Sequence, residues 1–245
     1  MRWGTHAVEE AIRAGRARRV LLQADAASRT RLSALAELAR EAGATIEFVP
    51  ADVLDARVGP ARHQGAVAEV RPFHYVTLEE LLAGDRGEPP YLLLLDGIED
   101  PQNLGTILRS ADAAGVHGVV LPERRAAPVS PAVARASAGA VDHVAVARVV
   151  NLVRTIETLK AAGVWVYGLD PAGAEAFDTA DYARPVALVA GAEGTGLSRL
   201  VRERCDVLLS IPMQGHVASL NVAVATSLAL FAARRARDRA LARPS

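Results

Sequence analysis

The chain has 245 residues, 51% of them hydrophobic and 23% charged. That balance excludes a disordered chain and allows one large domain or two small ones. Lys plus Arg and Asp plus Glu both number 28, so a net charge of zero argues against a protein that grips a polyanion by bulk charge. Lys160 is the only lysine, so 28 less 1 leaves 27 arginines. Arginine forks onto phosphates and stacks on planar rings better than lysine, although a GC-rich coding sequence produces the same bias.

The first part of the chain alternates helix and strand. Thr5 is placed to cap a helix over 5–14, which Gly15 ends. Residues 19–22 are strand-like. Residues 29–42 carry Leu32, Leu35, Ala36 and Leu38 at helical spacing up to Gly43. Residues 45–49 and 66–70 alternate as strands do. A small α/β domain is therefore expected over 1–71. Pro72, Gly84, Gly87, Pro89 and Pro90 punctuate a connector over 72–90, with a short helical piece at 78–82.

The remainder, 91–245, opens on Tyr91-Leu92-Leu93-Leu94-Leu95. Such an unbroken apolar run suits a strand buried on both faces of a parallel sheet. Further strands are expected at 118–121, 144–146, 164–167, 186–189 and 207–211. They alternate with helices over 104–114, 131–138, 152–162, 197–204 and 220–239. The pattern is α/β with a parallel sheet, and in such sheets ligands gather beyond the carboxyl ends of the strands.

Cys205 is the only cysteine and reads as a small core residue, so no disulfide framework exists and a reducing cytoplasm is expected. The N-terminus lacks the apolar stretch of a signal peptide. Residues 207–233 carry no formal charge, but Pro212, Gln214, Gly215, His216, Ser219 and Asn221 break them, so no membrane span is expected. The six histidines show no metal-ligand spacing, so no metal is expected.

Polar residues and glycines concentrate after three of the strands. The first group runs from Asp96 to Arg109. Asn103 can cap the helix that follows, and Arg109, on a largely apolar helix, needs a partner such as Asp96, Asp100 or Asp112. The second is Gly191-Ala192-Glu193-Gly194-Thr195-Gly196, whose glycines let backbone approach a ligand closely. It is not the dinucleotide fingerprint, and Glu193 would repel a pyrophosphate, which disfavours a nicotinamide-dependent oxidoreductase. The third runs from Ile211 to Ala223, where Ser219 can cap a long helix.

Together and in order, three stretches resemble the signature motifs of the SpoU-type (TrmH-like) branch of the SPOUT RNA methyltransferases. They are Asn103-Leu104-Gly105-Thr106-Ile107-Leu108-Arg109, Leu188-Val189-Ala190-Gly191-Ala192-Glu193-Gly194-Thr195-Gly196-Leu197, and Ile211-Pro212-Met213 with Ser219-Leu220-Asn221-Val222-Ala223-Val224-Ala225. Gly4-Thr5-His6-Ala7-Val8, Arg62-His63-Gln64-Gly65 and residues 110–117 resemble the subgroup that methylates a guanosine ribose in the P loop of 23S ribosomal RNA.

The resemblance implies a C-terminal parallel sheet threaded as a deep trefoil knot, an exception to ordinary connection rules. It implies a small ribosomal-protein-like RNA-binding domain before it. S-adenosyl-L-methionine would lie against Gly191, Ile211 and Leu220, with Met213 and Gly196 beside them. The enzyme would be a homodimer with its catalytic site at the interface. Arg109 would be the catalytic cation, and Asn103, Glu193, Ser219 and Asn221 would orient the reactants, with Glu193 an alternative proton acceptor. A transfer-RNA or resistance-type enzyme of the same family and a non-enzymatic RNA-binding assembly factor are the alternatives. The C-terminal arginines Arg234, Arg235, Arg237, Arg239 and Arg243 either touch RNA or solvate a helix end.

Overall fold

The computed structural model describes residues 1–59, 63–84, 86–217 and 219–242. The chain forms two units, one of 1–74 with 129–143 and one of 75–128 with the chain from 144 onward. Arg62 and Arg243 lie outside the described residues.

In the first unit, β1 (Arg2–Trp3), α1 (Thr5–Arg13), β2 (Ala17–Gln23), α2 (Ala26–Arg31), α3 (Ser33–Glu41), β3 (Thr45–Val49), α4 (Ala51–Val58) and β4 (Ala66–Val70) follow in order. Their described strands form a sheet in the order β1-β4-β2-β3, parallel only between β2 and β3. Val20, Leu22, Ala66 and Ala68 pack in one cluster with Val8 and Ile12 of α1 and Leu35 and Ala39 of α3. The expected helix over 29–42 is two helices, because Asp25 starts α2 earlier by accepting from the Ser28 N–H. Thr5 does not cap α1. It is the first helical residue, and its hydroxyl donates to Gln64 Oε1 at 3.0 Å. Helix α4 buries only Leu54, which leaves little apolar periodicity to read.

The second unit begins with α5 (Leu78–Ala83), β5 (Tyr91–Asp96), α6 (Pro101–Ala113) and β6 (Gly118–Pro122). The chain then contributes α7 (Pro131–Ala136) and a single 3-10 turn over 140–142 to the first unit. It resumes with β7 (Val146–Val149), α8 (Leu152–Ala161), β8 (Trp165–Leu169), β9 (Glu175–Ala176), β10 (Val186–Gly191), α9 (Arg199–Arg204), β11 (Val207–Ser210) and α10 (Val222–Leu241). Among the described residues the strands form one sheet, β7-β6-β5-β10-β8-β11-β9, parallel at every pairing. β5 and β10 are buried at every position and lie side by side near its centre. Each buried leucine there contributes about 1.5–3 kcal/mol.

Two boundaries differ from the expectation. Residues 129–143 were expected within 91–245, yet they pack in the first unit. Asp142, its side chain 1% exposed, receives Arg2 at 3.2 Å and also Arg16. Arg135 stacks over Trp3 at 4.6 Å, and His143 Nε2 meets Glu10 at 2.9 Å. A buried carboxylate so placed needs these cations, and no local sequence pattern announces a partner 140 positions away.

The stretch 72–90, expected as a connector, belongs to the second unit from Tyr75 onward. Thr77 and Glu80 form a reciprocal capping box on α5, and Leu81 is buried in the core of the sheet. Glu88 is bound by Arg234 at 2.9 Å and Arg237 at 3.3 Å. This revises the C-terminal arginine cluster. Arg237 is 2% exposed and also donates to the carbonyls of Tyr182 and Pro89. It lies on the same face of α10 as Leu230 and Ala233, so the helical period carries it inward. Arg235 and Arg239 remain exposed. Among the described residues no helix is long and apolar enough to cross a membrane.

Candidate active site

Parallel strands send all their carboxyl ends to one side of the sheet. There β5, β10, β8 and β11 release the chain into 97–100, 192–198, 170–174 and 211–221, and the predicted site residues lie on these segments except Gly191, the last residue of β10, and Asn103 and Arg109, which lie on α6.

The segment after β10 turns back at once. Ala192 and Gly196 exchange backbone hydrogen bonds at 3.0 and 2.9 Å, with Glu193 between them. A Cβ on Gly191 would fall 2.1 Å from the Gly196 carbonyl carbon, so only glycine ends this strand. Asp96, at the end of β5, accepts from the Ser198 N–H at 2.7 Å and fixes the far side of the turn.

Against this turn lies a cavity of about 160 Å³. Gly191, Gly196, Ile211, Met213 and Leu220 all line it, as do Glu193 and Ser219. The structure adds residues that the motifs do not include: Leu169 at the end of β8, Asp170 and Pro171 just after it, and Thr226 on α10. The rule that ligands sit beyond strand ends applies to β8 as well. Its place beside β10 depends on strand order, which local pattern does not reveal. Asp170 is held by Arg202 at 2.9 Å and by the Ala172 N–H at 2.8 Å.

Three predicted residues join in one chain of hydrogen bonds. Asn221 Nδ2 donates to Asn103 Oδ1 at 3.0 Å, and Asn103 Nδ2 donates to Glu193 Oε2 at 3.1 Å. Both caps differ from expectation. Asp100, not Asn103, caps α6 by accepting from the Gln102 and Asn103 N–H groups at 3.1 Å, and Pro101 takes the first helical position. Asn221, not Ser219, caps α10. Ser219 and Asn103 are thereby released from a purely structural duty.

Arg109 stands apart. It is exposed on α6, it does not line the cavity, and among the described residues it has no ion pair, so the expected bridge to Asp96, Asp100 or Asp112 is not made. Six residues of helix turn it roughly 240° from Asn103, which sends the two side chains to different faces. Cys205 is inert by contrast. Burial pushes its thiol up to about 12, and Sγ lies 3.3 Å from the Val201 carbonyl. Among the described residues no group of His, Cys, Asp or Glu could hold a metal ion.

With this geometry in place, similarity to known proteins is informative. The family model described as SpoU rRNA Methylase family matches residues 90–231, and that described as RNA 2′-O ribose methyltransferase substrate binding matches 3–76. A Bacillus subtilis (strain 168) protein named "Putative TrmH family tRNA/rRNA methyltransferase YacO" is 44% identical over 237 residues, covering 96% of this chain and 95% of its own. The SpoU methyltransferase AviRb of Streptomyces viridochromogenes, solved in complex with AdoMet, superposes with a TM-score of 0.79 at 29% identity, over 97% of this chain and 90% of that one. An AdoMet-bound rRNA methyltransferase of Sinorhizobium meliloti gives 0.77 at 31% identity, over 95% and 85%.

Proposed function

Because the chain belongs to the SpoU rRNA methylase family, and so is an RNA methyltransferase, we propose that it methylates the ribose 2′-hydroxyl of a guanosine in 23S ribosomal RNA, with S-adenosyl-L-methionine as donor. The observation that carries this reading is the hydrogen-bonded set Asn221–Asn103–Glu193, held against a cavity that all five predicted cofactor residues line. The match of 3–76 to a 2′-O ribose methyltransferase substrate-binding model supports the ribose hydroxyl as acceptor.

The cavity suits the donor. Gly191 leaves a cradle that a Cβ would fill, Leu169, Ile211 and Leu220 offer apolar walls, and Glu193 and Asp170 can face a cation. When bound, S-adenosyl-L-methionine supplies an activated methyl on a positively charged sulfur. The protein's own tasks are then orientation and proton removal. Asn103 holds Glu193, whose carboxylate can accept the proton of the ribose hydroxyl. Arginine keeps its proton to about pH 12 or beyond, so Arg109 acts as a fixed cation that binds phosphate and stabilises the developing alkoxide.

Arg109 is exposed and does not line its own cavity, and the reading therefore includes a homodimer in which a second copy completes the site. Val224, Leu228 and Phe231 form an exposed apolar stripe on α10 at spacings of 4 and 3. Helix α10 packs beside α6 through Ser227 and Ser110, whose hydroxyls are 2.7 Å apart, so this stripe and Arg109 belong to neighbouring helices. The trefoil knot belongs to the same proposal. Gly191 and Gly173 leave room for backbone to cross backbone, since a Cβ on Gly173 would lie 2.5 Å from the Leu209 carbonyl carbon. The single unpaired cysteine supports a reducing, cytoplasmic location as part of this reading.

A transfer-RNA substrate is the second reading, favoured by the tRNA/rRNA name of the Bacillus subtilis relative. Mass-spectrometric mapping of ribose methylation, in 23S RNA and in transfer RNA with and without this protein, separates the two. A mark that appears only in transfer RNA would overturn the first, and no new mark in either would overturn both.

A further inference from the structure

Many exposed arginines of this chain have a carboxylate. Arg13 pairs with Glu9, Arg184 with Asp181, Arg199 with Glu203 and Arg204 with Glu157. Arg124 and Arg125, in the loop after β6, are exposed and have neither an ion pair nor a side-chain hydrogen bond among the described residues. Their backbone is nevertheless fixed on both sides. Glu123 donates its N–H to the Val149 carbonyl at 2.8 Å and accepts Arg148 Nη2 on its own carbonyl at 2.9 Å. Ala127 donates its N–H to the Ile98 carbonyl at 2.8 Å.

Between those anchors Arg125 is held at φ 57°, a left-handed conformation that a residue with a side chain seldom adopts. Strain of this kind persists only where the surroundings over-determine it, and it gathers at functional segments. Arg148, also exposed, carries its guanidinium over the Tyr75 ring at 5.1 Å, and Val150 beside it is 83% exposed. Neither Glu99 nor Glu123 engages a cation of this group. The Ala127–Ile98 bond joins the ledge to the segment that leads into Asp100 and Asn103.

We propose that Arg124, Arg125 and Arg148 form a preorganised ledge that grips the RNA backbone beside the target nucleotide. It would be a positioning surface outside the three motif stretches. The chemistry on offer is guanidinium forks for phosphate oxygens. A loop already held in one conformation loses little freedom on binding. The inference rests on the RNA methyltransferase reading and deepens it.

The test uses the full-length protein and a hairpin of the 23S RNA P loop. Anisotropy titrations across a salt series compare the wild type with R124Q/R125Q and with R154Q, which neutralises another exposed and unpaired arginine on α8. Affinity of the double variant is expected to fall about tenfold, and the slope of log K against log salt to become shallower by about 2. Its melting temperature and its calorimetric affinity for S-adenosyl-L-methionine should match the wild type, and R154Q should bind RNA normally. Unchanged affinity and slope in R124Q/R125Q would overturn the ledge. So would an equal loss in R154Q, which would mean bulk charge, or a concurrent loss of cofactor affinity, which would mean a structural effect. A wild type that bound no RNA would overturn the underlying reading instead.

Discussion

Asn221 donates from Nδ2 to Asn103 Oδ1 at 3.0 Å across 118 positions of the chain. The direction of this bond is forced. Asn221 Oδ1 already accepts from the Ala223 and Val224 N–H groups, so only its NH2 can face Asn103. Asn103 must then turn its own NH2 toward Glu193. A helix cap thus sets the polarity of a chain that ends on a carboxylate.

Asn221→Asp separates the two duties. It keeps the oxygen that caps α10 and adds a charge favoured at a helix N-terminus, but it removes the donor to Asn103. Unfolding in denaturant should stay within about 0.5 kcal/mol of wild type, while single-turnover methylation falls roughly tenfold or more. Asn221→Ala should also lose about 1 kcal/mol of stability. An N221D protein with the native rate would reject the relay.

Arg109→Ala should leave stability unchanged within about 0.5 kcal/mol, because among the described residues the side chain has no partner to lose. Cofactor binding by calorimetry should also be unchanged, since Arg109 lies outside the cavity. Methyl transfer should drop by about 10²–10³, the usual effect of removing an electrostatic stabiliser. Native turnover in R109A would remove this residue from the chemistry.

Gly191→Ala places a Cβ where backbone already stands. The turn over 192–196 must move, at a cost of about 1–3 kcal/mol, and the cavity wall moves with it. A lower melting temperature together with lost binding of S-adenosyl-L-methionine is expected. Full binding in G191A would place the cofactor elsewhere.

Acid should unfold the second unit through Glu88. Burial alone would raise this carboxyl, but hydrogen bonds from Arg234 and His117 and the charges of Arg234 and Arg237 hold it at about 2, against an ordinary 4.5. Its stabilisation is complete above about pH 4.5 and lost as pH falls toward 2, up to about 3 kcal/mol. Burial also lowers His117 from 6.5, so its contribution fades as pH falls below that value. Unfolding free energy measured from pH 7 to 3 should decline. Glu88→Gln should start lower, by leaving Arg237 buried without its carboxylate, and flatten below pH 4.5. A parallel curve in E88Q would clear Glu88 of the effect.

Phe231→Asp puts a charge in the exposed stripe of α10, where Phe231 is 49% exposed and fills no core. If α10 forms the proposed dimer interface, sedimentation should show wild type as a dimer and F231D as a monomer, with the melting curve of the monomer intact. A dimer that survived F231D would move the interface off this helix.

The fold was most legible where burial is two-sided. Tyr91-Leu92-Leu93-Leu94-Leu95 reads as a central strand because nothing but another strand and two helical layers can cover it. The site was legible as three clusters but not as one place. Asn103 and Glu193 meet because β5 and β10 are neighbours, and Asn221 joins them from the segment after β11, two strands further on; adjacency is a property of strand order. Asp100 and Asn221 displaced the expected caps because Asn103 and Ser219 satisfy the same local rule equally well, and packing chose between them. The ledge of Arg124 and Arg125 was invisible for another reason. In a chain with 27 arginines, 28 cations less Lys160, only the structure tells which of them lack partners.

The return of 129–143 to the first unit has a consequence for modularity. No single cut releases that unit whole. A fragment ending at residue 74 would lack Asp142, leaving Arg2 and Arg16 without their shared carboxylate. Arg2 is 6% exposed, and a buried cation so orphaned costs about 3–5 kcal/mol, much of the stability of so small a domain. Recombination could therefore not trade this RNA-binding unit between enzymes as a simple N-terminal cassette. It is a discontinuous piece, and whatever RNA specificity it carries is inherited together with the middle of the chain.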